Sequence, residues 1–470
     1  MAAVIKRRTF LLATASGLSV WVLAACGSPN PVATPTAVPT VPASLMPQPT
    51  AVQRTSWSAD PFARGSFSFP ALGSTPEHRA ALAEPVLDRV FFAGEATAST
   101  EPGTVQGARE SGVRAAGQVQ AVAQPGERIT VIGAGIAGIT AATQLRTAGF
   151  TVIVVEARDR VGGRIETVTQ GWPFPIELGP SFIHATTTNT LDDEFAALGV
   201  STLSFSRVPE VRTRSGEITV VNPVGAEAVA TALTWAGEQP ADVSVERALV
   251  DSGQLKQSTA QNDLGLSDAD WLEYEIATQL KMDSGSTPSA ESAWYAPGPP
   301  AADDDHVVTG GYAKLVAGDA AALDVVTSSP VTLIAYNDAG VSLRLGAGEA
   351  LSGDRVIVTV PLGVLKDGAV EFSPALPFSH KGAIAALGVG LLDKVWLRFE
   401  EPFWDTDARY WTVVGTDADF PVWVNMLPIT GEPVLMGMVA AENAVRLAEA
   451  SDEEFLASAL RSLEPFRTPD

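Results

Sequence analysis

Val131-Ile-Gly-Ala-Gly-Ile-Ala-Gly138 is the stretch on which the reading of this chain turns. Arg128-Ile-Thr-Val-Ile132 leads into it as a short β-rich run, and Ile139 to Ala148 follows as a helix that Gly149 stops. Thr151-Val-Ile-Val-Val155 is a second strand, closed by Glu156, 23 positions after Gly133. The pattern is strand, glycine turn, helix, strand, acid. Each glycine has a separate task. Gly133 permits the tight turn, Gly135 lets a pyrophosphate approach the backbone, and Gly138 lets helix and strand pack closely. The helix start at Gly135, Ile136 and Ala137 directs N–H groups and the positive end of the helix dipole at the pyrophosphate. Glu156 accepts from the ribose hydroxyls, with Ala157 and Arg158 beside it. The stretch predicts a dinucleotide-binding domain.

Arg160-Val-Gly-Gly-Arg-Ile-Glu-Thr167 comes next. It resembles the RxGGRxxT motif of FAD-dependent oxidoreductases, in which Gly162 and Gly163 allow close approach and Arg164 reaches the diphosphate. The expected cofactor is therefore FAD. An acid at the end of the second strand also favours an unphosphorylated adenosine ribose.

With 470 residues, 46% of them hydrophobic, the chain can fill two domains. Acidic residues outnumber basic ones by 54 to 31, a formal charge of −23. That balance disfavours nucleic acid, whose phosphates need Lys and Arg, and attracts small cations. Cys26 is the one cysteine, which excludes an internal disulfide, a cysteine metal site and a cysteinyl flavin linkage. The four histidines show no HxH or HExxH spacing, so no metal is expected. The sequence says nothing of oligomeric state.

Arg7-Arg8-Thr9-Phe10-Leu11 precedes an apolar run that ends in Leu23-Ala24-Ala25-Cys26. A basic start, a short apolar stretch and small residues before a cleavage point read as an export signal. The arginine pair resembles a twin-arginine signal, and Leu-Ala-Ala-Cys resembles a bacterial lipobox, which implies a lipid anchor on Cys26. Residues 27 to 50 are rich in Pro and Thr and read as an extended tether. The expected location is the bacterial cell envelope, outside the cytoplasmic membrane.

Further motifs extend a resemblance to the flavin-containing amine oxidase family, of monoamine and polyamine oxidase type, from about residue 52 onward. Glu177-Leu-Gly-Pro-Ser-Phe-Ile-His184 is similar to its ELGAxWIHG segment, with Pro180 and Phe182 as departures. His306 to Tyr312, Val356 to Leu365 and Lys394 to Phe399 with Phe403-Trp404 resemble three more of its blocks. Val331 stands where a family valine meets the adenine part. The family's second flavin motif normally ends the chain. Here Phe92-Ala-Gly-Glu95, Gly107-Ala108 and Ser111 to Ala115 come before the glycine turn instead, preceded by Trp57 and Asp60-Pro-Phe62. The order reads as a circular permutation joined through Gln124-Pro-Gly126. The implied fold is α/β: a Rossmann-like FAD domain from residues 62–185 and 306–366, and a mixed-sheet and helical substrate domain from 51–61, 186–305 and 367–470.

The resemblance also implies roles. FAD takes hydride from the carbon beside the amine nitrogen, and oxygen then yields hydrogen peroxide. Lys394 matches the lysine that holds a water near the flavin. Phe67 matches one wall of an aromatic cage, and Thr104 falls at the other, where monoamine oxidases carry tyrosine. His184 matches a histidine near the substrate entrance. Gly94, Glu95, Thr104 and Val105 of the displaced motif, with Gly179, Pro180 and Ser181, complete the expected cofactor contacts. Ser66 replaces the flavin-linked cysteine, so the FAD should be noncovalent. A polyamine-type cation is the expected substrate, its carboxylate partners falling within Asp268 to Asp283 or Asp303 to Asp305 with none singled out. Two alternatives stay open. An L-amino-acid oxidase would need a carboxylate-binding arginine, Arg207 or Arg212. A non-catalytic flavin-binding envelope protein would keep FAD without turnover.

Overall fold

The computed structural model describes residues 46–184, 191–296 and 305–468. The export signal, Cys26 and the tether up to residue 45 lie outside the described residues. No described helix is long and apolar enough to cross a membrane.

Two sheets organise the chain. The first has five parallel strands in the order Val325–Val326, Thr151–Val155, Arg128–Ile132, Arg355–Val358 and Val90–Phe92. The last three are buried along almost their whole length, as expected of parallel strands covered on both faces. Helix Ile136–Thr147 covers one face together with helix Val105–Val122. The two helices approach closely because Gly112 faces Ala137; a Cβ there would stand 2.3 Å from the Ala137 carbonyl oxygen. Strand Val90–Phe92, which precedes the glycine turn in the chain, thus occupies the sheet edge beside Arg355–Val358. A short turn, in which Glu127 N–H donates to the Gln124 carbonyl at 3.1 Å, connects helix Val105–Val122 to strand Arg128–Ile132.

The second sheet is mixed and seven-stranded: Ala51–Arg54, Leu392–Arg398, Val434–Ala440, Val422–Asn425, Tyr410–Val414, Glu210–Thr213 and Ile218–Thr219. All its pairs are antiparallel except Glu210–Thr213 with Tyr410–Val414. Its strands bury Trp396, Trp411 and Trp423 against helix Asp452–Leu463, which opens with a Ser451/Glu454 capping box. Helices Val224–Gly237, Val245–Asp251 and Asp268–Glu275 form a separate small core.

The boundary at residue 366 falls too early. Strand Glu371–Ser373 pairs with Val331–Asn337, and Val370, Leu376, Ala383 and Leu387 are buried in one core with Val356, Val358 and Phe92. Residues 367–387 therefore belong with the parallel-sheet domain. The sequence signal was the Val356 to Leu365 strand block, which marks a strand but not the packing of the residues after it.

Candidate active site

Residues of both sheets line one long cavity of about 1120 Å³. Gly133, Gly135, Ile136, Ala137, Glu156, Ala157, Arg158, Gly162, Gly163 and Arg164 line one end. Gly94, Glu95, Thr104, Val105 and Val331 line it too. So the glycine turn and the segment around Phe92-Ala-Gly-Glu95 converge on one space, although they are separated in sequence. Two observations fit this end to an elongated anionic cofactor. A Cβ added to Gly135 meets nothing nearer than the Gly162 carbonyl at 3.9 Å, so this glycine leaves the floor of the cavity open. Moreover, one guanidinium nitrogen of Arg158 and one of Arg79, both in the lining, are buried without a protein partner. Such donors are costly unless an acceptor arrives.

The acids here hold the frame. Glu156 accepts from the Ala134 N–H at 2.6 Å and the Arg158 N–H at 2.8 Å, which pins the turn to the second strand. Each oxygen keeps a lone pair for a ribose hydroxyl. Glu95 accepts from the Ser68 hydroxyl at 2.5 Å, the Gly103 N–H at 3.0 Å and Arg164 at 3.1 Å. Desolvation would raise this carboxyl, but Arg164, Ser68 and Arg79 together hold it below its ordinary value. Glu95 thereby holds Arg164 at the cavity wall. Ser66 also faces the cavity, with its hydroxyl donating to the Leu392 carbonyl at 2.8 Å.

Gly138 is the packing glycine of the turn. It does not line the cavity; a Cβ there would stand 2.0 Å from the Gly133 carbonyl oxygen. Its role is the close packing of helix on turn, not contact with the cofactor.

Lys394 lies in strand Leu392–Arg398, 5% exposed, and borders the cavity. Its ammonium donates to the Gly179 carbonyl and to the Ser181 hydroxyl (2.6 Å). Gly179 Cα approaches Arg164 so closely that a Cβ would overlap the Arg164 carbonyl, which brings that carbonyl-rich segment within reach. Burial pushes Lys394 down to about 7, opposed by the charge of Glu177. Glu177 is itself buried and pushed up to about 7, though the Tyr312 N–H and the Thr167 hydroxyl each donate to it at 2.7 Å. Phe67 and Pro180 lie in the same wall.

Thr104 borders the cavity, but its hydroxyl is committed to the start of helix Val105–Val122. It accepts from the Gly107 N–H at 3.0 Å and donates to the Glu101 carbonyl at 2.7 Å. What it turns toward the cavity is a small side chain, not a free hydroxyl. Thr104→Ala is expected to cost about 1 kcal/mol of stability through the lost cap, read as a lower urea midpoint with unchanged slope.

The far end carries charge. His184 Nδ1 lies 3.1 Å from Asp305 and 2.7 Å from Arg207, and Arg207 donates to Asp305 at 2.5 Å. Asp283 completes this end of the lining with Phe182, Phe205, Met282, Tyr410 and Met438. A π-helical turn, Ile276–Leu280, interrupts the helix between Asp268–Glu275 and Lys281–Ser284. The wider turn re-aims the residues after it, and Thr278, Gln279, Met282 and Asp283 all border the cavity. The end of this helix is pinned to the Lys394 strand. Leu391 N–H donates to the Gly285 carbonyl at 2.8 Å, and Gly390 leaves no room for a Cβ against Ser284. Desolvation raises the Asp283 carboxyl; Arg207 and His184 lower it and Asp305 raises it further. Arg212 is elsewhere, bound to Glu210 at 2.8 Å and stacked over Phe466. Asp283 falls within one of the two acidic segments in which the sequence places the expected carboxylates. The π turn that selects Asp283 carries no glycine or proline to announce it.

Known proteins agree with this architecture. A family model described as flavin containing amine oxidoreductase matches residues 37–120 and 136–469. Polyamine oxidase 4 of Oryza sativa subsp. japonica is 31% identical over 351 residues, which is 69% of this chain and 70% of that protein. The human lysine-specific histone demethylase 2 is 26% identical over 71% of this chain and 43% of its own. A solved putrescine oxidase bound to putrescine aligns with a TM-score of 0.56 at 24% identity, over 73% of this chain and 82% of that one. The chain thus belongs to the flavin-containing amine oxidoreductase family and is an FAD-dependent oxidoreductase acting on CH–NH groups.

Proposed function

We propose that this protein oxidises a cationic amine of polyamine type to the imine, which hydrolyses to an aldehyde, and passes the electrons to oxygen to give hydrogen peroxide. The observation that carries the reading is Asp283, a carboxylate that borders the cavity with Asp305, Arg207 and His184 beside Phe182, Phe205, Tyr410 and Met438. When bound, FAD accepts the hydride from the carbon beside the amine nitrogen. The protein's own part is binding and exclusion. Asp283 pairs with a remote ammonium, so the neutral amine at the other end is drawn toward Phe67 and Lys394. Phe182, Phe205, Tyr410 and Met438 border the cavity beside Asp283 and offer apolar surface to the substrate's methylenes. Lys394 stabilises charge that develops on oxygen as it is reduced. The FAD is held noncovalently, with Ser66 hydrogen-bonded to the backbone of Leu392.

Arg207 does not favour an amino-acid substrate, because Asp305 and His184 already engage it. The polyamine oxidase relatives support the same substrate class. The chain order is read as a circular permutation, supported by the strand order of the parallel sheet and by the two separate matches to the family model. The mature protein is read as exported and lipid-anchored at Cys26, outside the cytoplasmic membrane.

The test is peroxide release from the purified protein with putrescine, spermidine, a monoamine and L-amino acids. Turnover of the di- and polyamines above the monoamine is expected. Flavin reduction by L-amino acids alone would overturn the substrate class, reduction without peroxide would overturn oxygen as acceptor, and no reduction by any amine would point to a non-catalytic flavoprotein. Asp283→Asn is expected to raise KM for the diamine on the order of tenfold, with kcat and the monoamine KM little changed.

A further inference from the structure

Arg79 lies outside the flavin motifs and has no part in the reaction as described. It stands in helix Pro76–Ala83, 8% exposed, and borders the cavity. One guanidinium nitrogen donates to the Ser68 hydroxyl at 2.7 Å and to the Ala96 carbonyl at 3.2 Å. These two bonds fix the group between strand Phe67–Phe69 and the turn Glu95–Thr97. The other terminal nitrogen is buried and has no partner. A guanidinium keeps its proton across the working pH range, so this free N–H remains a cationic donor. Glu95 offsets the charge, but Glu95 also stands 3.1 Å from Arg164. Two guanidinium groups thus share one carboxylate, and the cluster keeps one positive charge in excess.

The order of the parallel strands assigns this donor to one half of the cofactor. Glu156, Gly133 and Gly94 follow the ends of Thr151–Val155, Arg128–Ile132 and Val90–Phe92, and all three border the cavity. Arg355–Val358 separates the last two strands. Neighbouring strands lie about 4.8 Å apart, so Gly94 stands roughly 10 Å past the glycine turn, on the side away from Glu156. FAD with its adenosine ribose at Glu156 and its diphosphate at the turn therefore carries its flavin half toward Gly94, Ser68 and Arg79. Arg158, the other guanidinium with a free nitrogen, stands at the opposite end, two residues after Glu156. The oxidised flavin ring is neutral. A hydride brings one proton and two electrons, so the ring gains one negative charge unless it takes a further proton.

We propose that the free guanidinium N–H of Arg79 donates to the flavin half of FAD, and that its charge favours the reduced, negatively charged form over the oxidised one. Arg79 is thereby a cofactor contact that raises the potential of the bound flavin. The inference holds for any substrate, since the charge appears on the ring whatever supplies the hydride.

The test is the two-electron potential of the FAD-loaded protein, measured by reduction against a dye of known potential, in the unaltered chain, Arg79→Lys and Arg79→Met. Arg79→Met is expected to bind reduced FAD about tenfold more weakly relative to oxidised FAD, which lowers the potential by about 30 mV. Arg79→Lys keeps the charge and should lie nearer the unaltered protein. Thermal unfolding of the apoproteins reads the structural share of Arg79 separately, because its bonds to Ser68 and Ala96 exist without FAD. Lower apoprotein stability with an unchanged potential and an unchanged Kd for FAD overturns the inference and leaves Arg79 a structural cation. Equal weakening of oxidised and reduced FAD overturns the charge role. If Arg79→Met fails to load FAD, Arg79→Gln, which keeps an amide donor but no charge, takes its place. The same fall in potential is expected of it, and a potential equal to that of the unaltered chain overturns the inference.

Discussion

Lys394→Met is expected to slow reoxidation of the reduced enzyme by oxygen on the order of 10²-fold, while anaerobic reduction by substrate changes by less than about tenfold. The argument starts from burial. A lysine at 5% exposure on a sheet strand survives only because the Gly179 carbonyl and the Ser181 hydroxyl accept from it and Glu177 lies near. A fixed positive charge in a water-poor space stabilises charge developing on oxygen far better than the same charge in solvent. Since burial pushes Lys394 down to about 7, reoxidation should fall as pH rises through that value, and the variant should lose this dependence. Stability gives an independent sign. The unfolded lysine keeps its proton to about pH 10.4. The native state therefore binds fewer protons between about 7 and that limit, and stability rises with pH over the window. Lys394→Met should remove that slope. Stopped-flow reoxidation and thermal unfolding between pH 7 and 10 check both; normal reoxidation in the variant removes the role.

Gly135→Val and Gly138→Ala should fail in opposite ways, although the two glycines belong to one motif. At Gly138 a Cβ would be driven into the Gly133 carbonyl oxygen at 2.0 Å, backbone against backbone, where no rotamer relieves it. Overpacking of this kind costs on the order of 3 kcal/mol, so Gly138→Ala should lower the Tm of the apoprotein itself. At Gly135 the protein offers no obstruction, the nearest atom being 3.9 Å away. Gly135→Val should leave the apoprotein's Tm within about 2 °C of the unaltered chain but weaken FAD binding by more than about tenfold, because the side chain enters the space meant for the cofactor. Unfolding of the apoproteins and fluorescence titration with FAD separate the two. Equal loss of apoprotein stability in both would contradict the division of labour.

Much of this was legible in the sequence because it is local. The run from Arg128 to Glu156 dictates strand, turn, helix and strand through near neighbours alone, since glycine spacing and β-branched runs act over a few residues. The Phe92-Ala-Gly-Glu95 segment could be recognised ahead of the glycine turn for the same reason. Other features depended on contacts between distant residues. Residues 367–387 joined the parallel-sheet core because Val370, Leu376 and Ala383 found apolar partners there. Glu95 meets Arg164 and Ser68, contacts between segments far apart in the chain. Thr104 became a helix cap, its hydroxyl satisfied by the nearest backbone N–H.

The glycine turn, the FAD motif and the family were determined by the sequence by itself, because each is a pattern of residue types at fixed spacing. That Asp283 borders the cavity was decided only by the tertiary structure. Asp283 faces the cavity because a π turn rotates it there and Gly285 and Gly390 clamp that helix end to the Lys394 strand. Desolvation is a property of the assembled fold, and no sequence spacing encodes it.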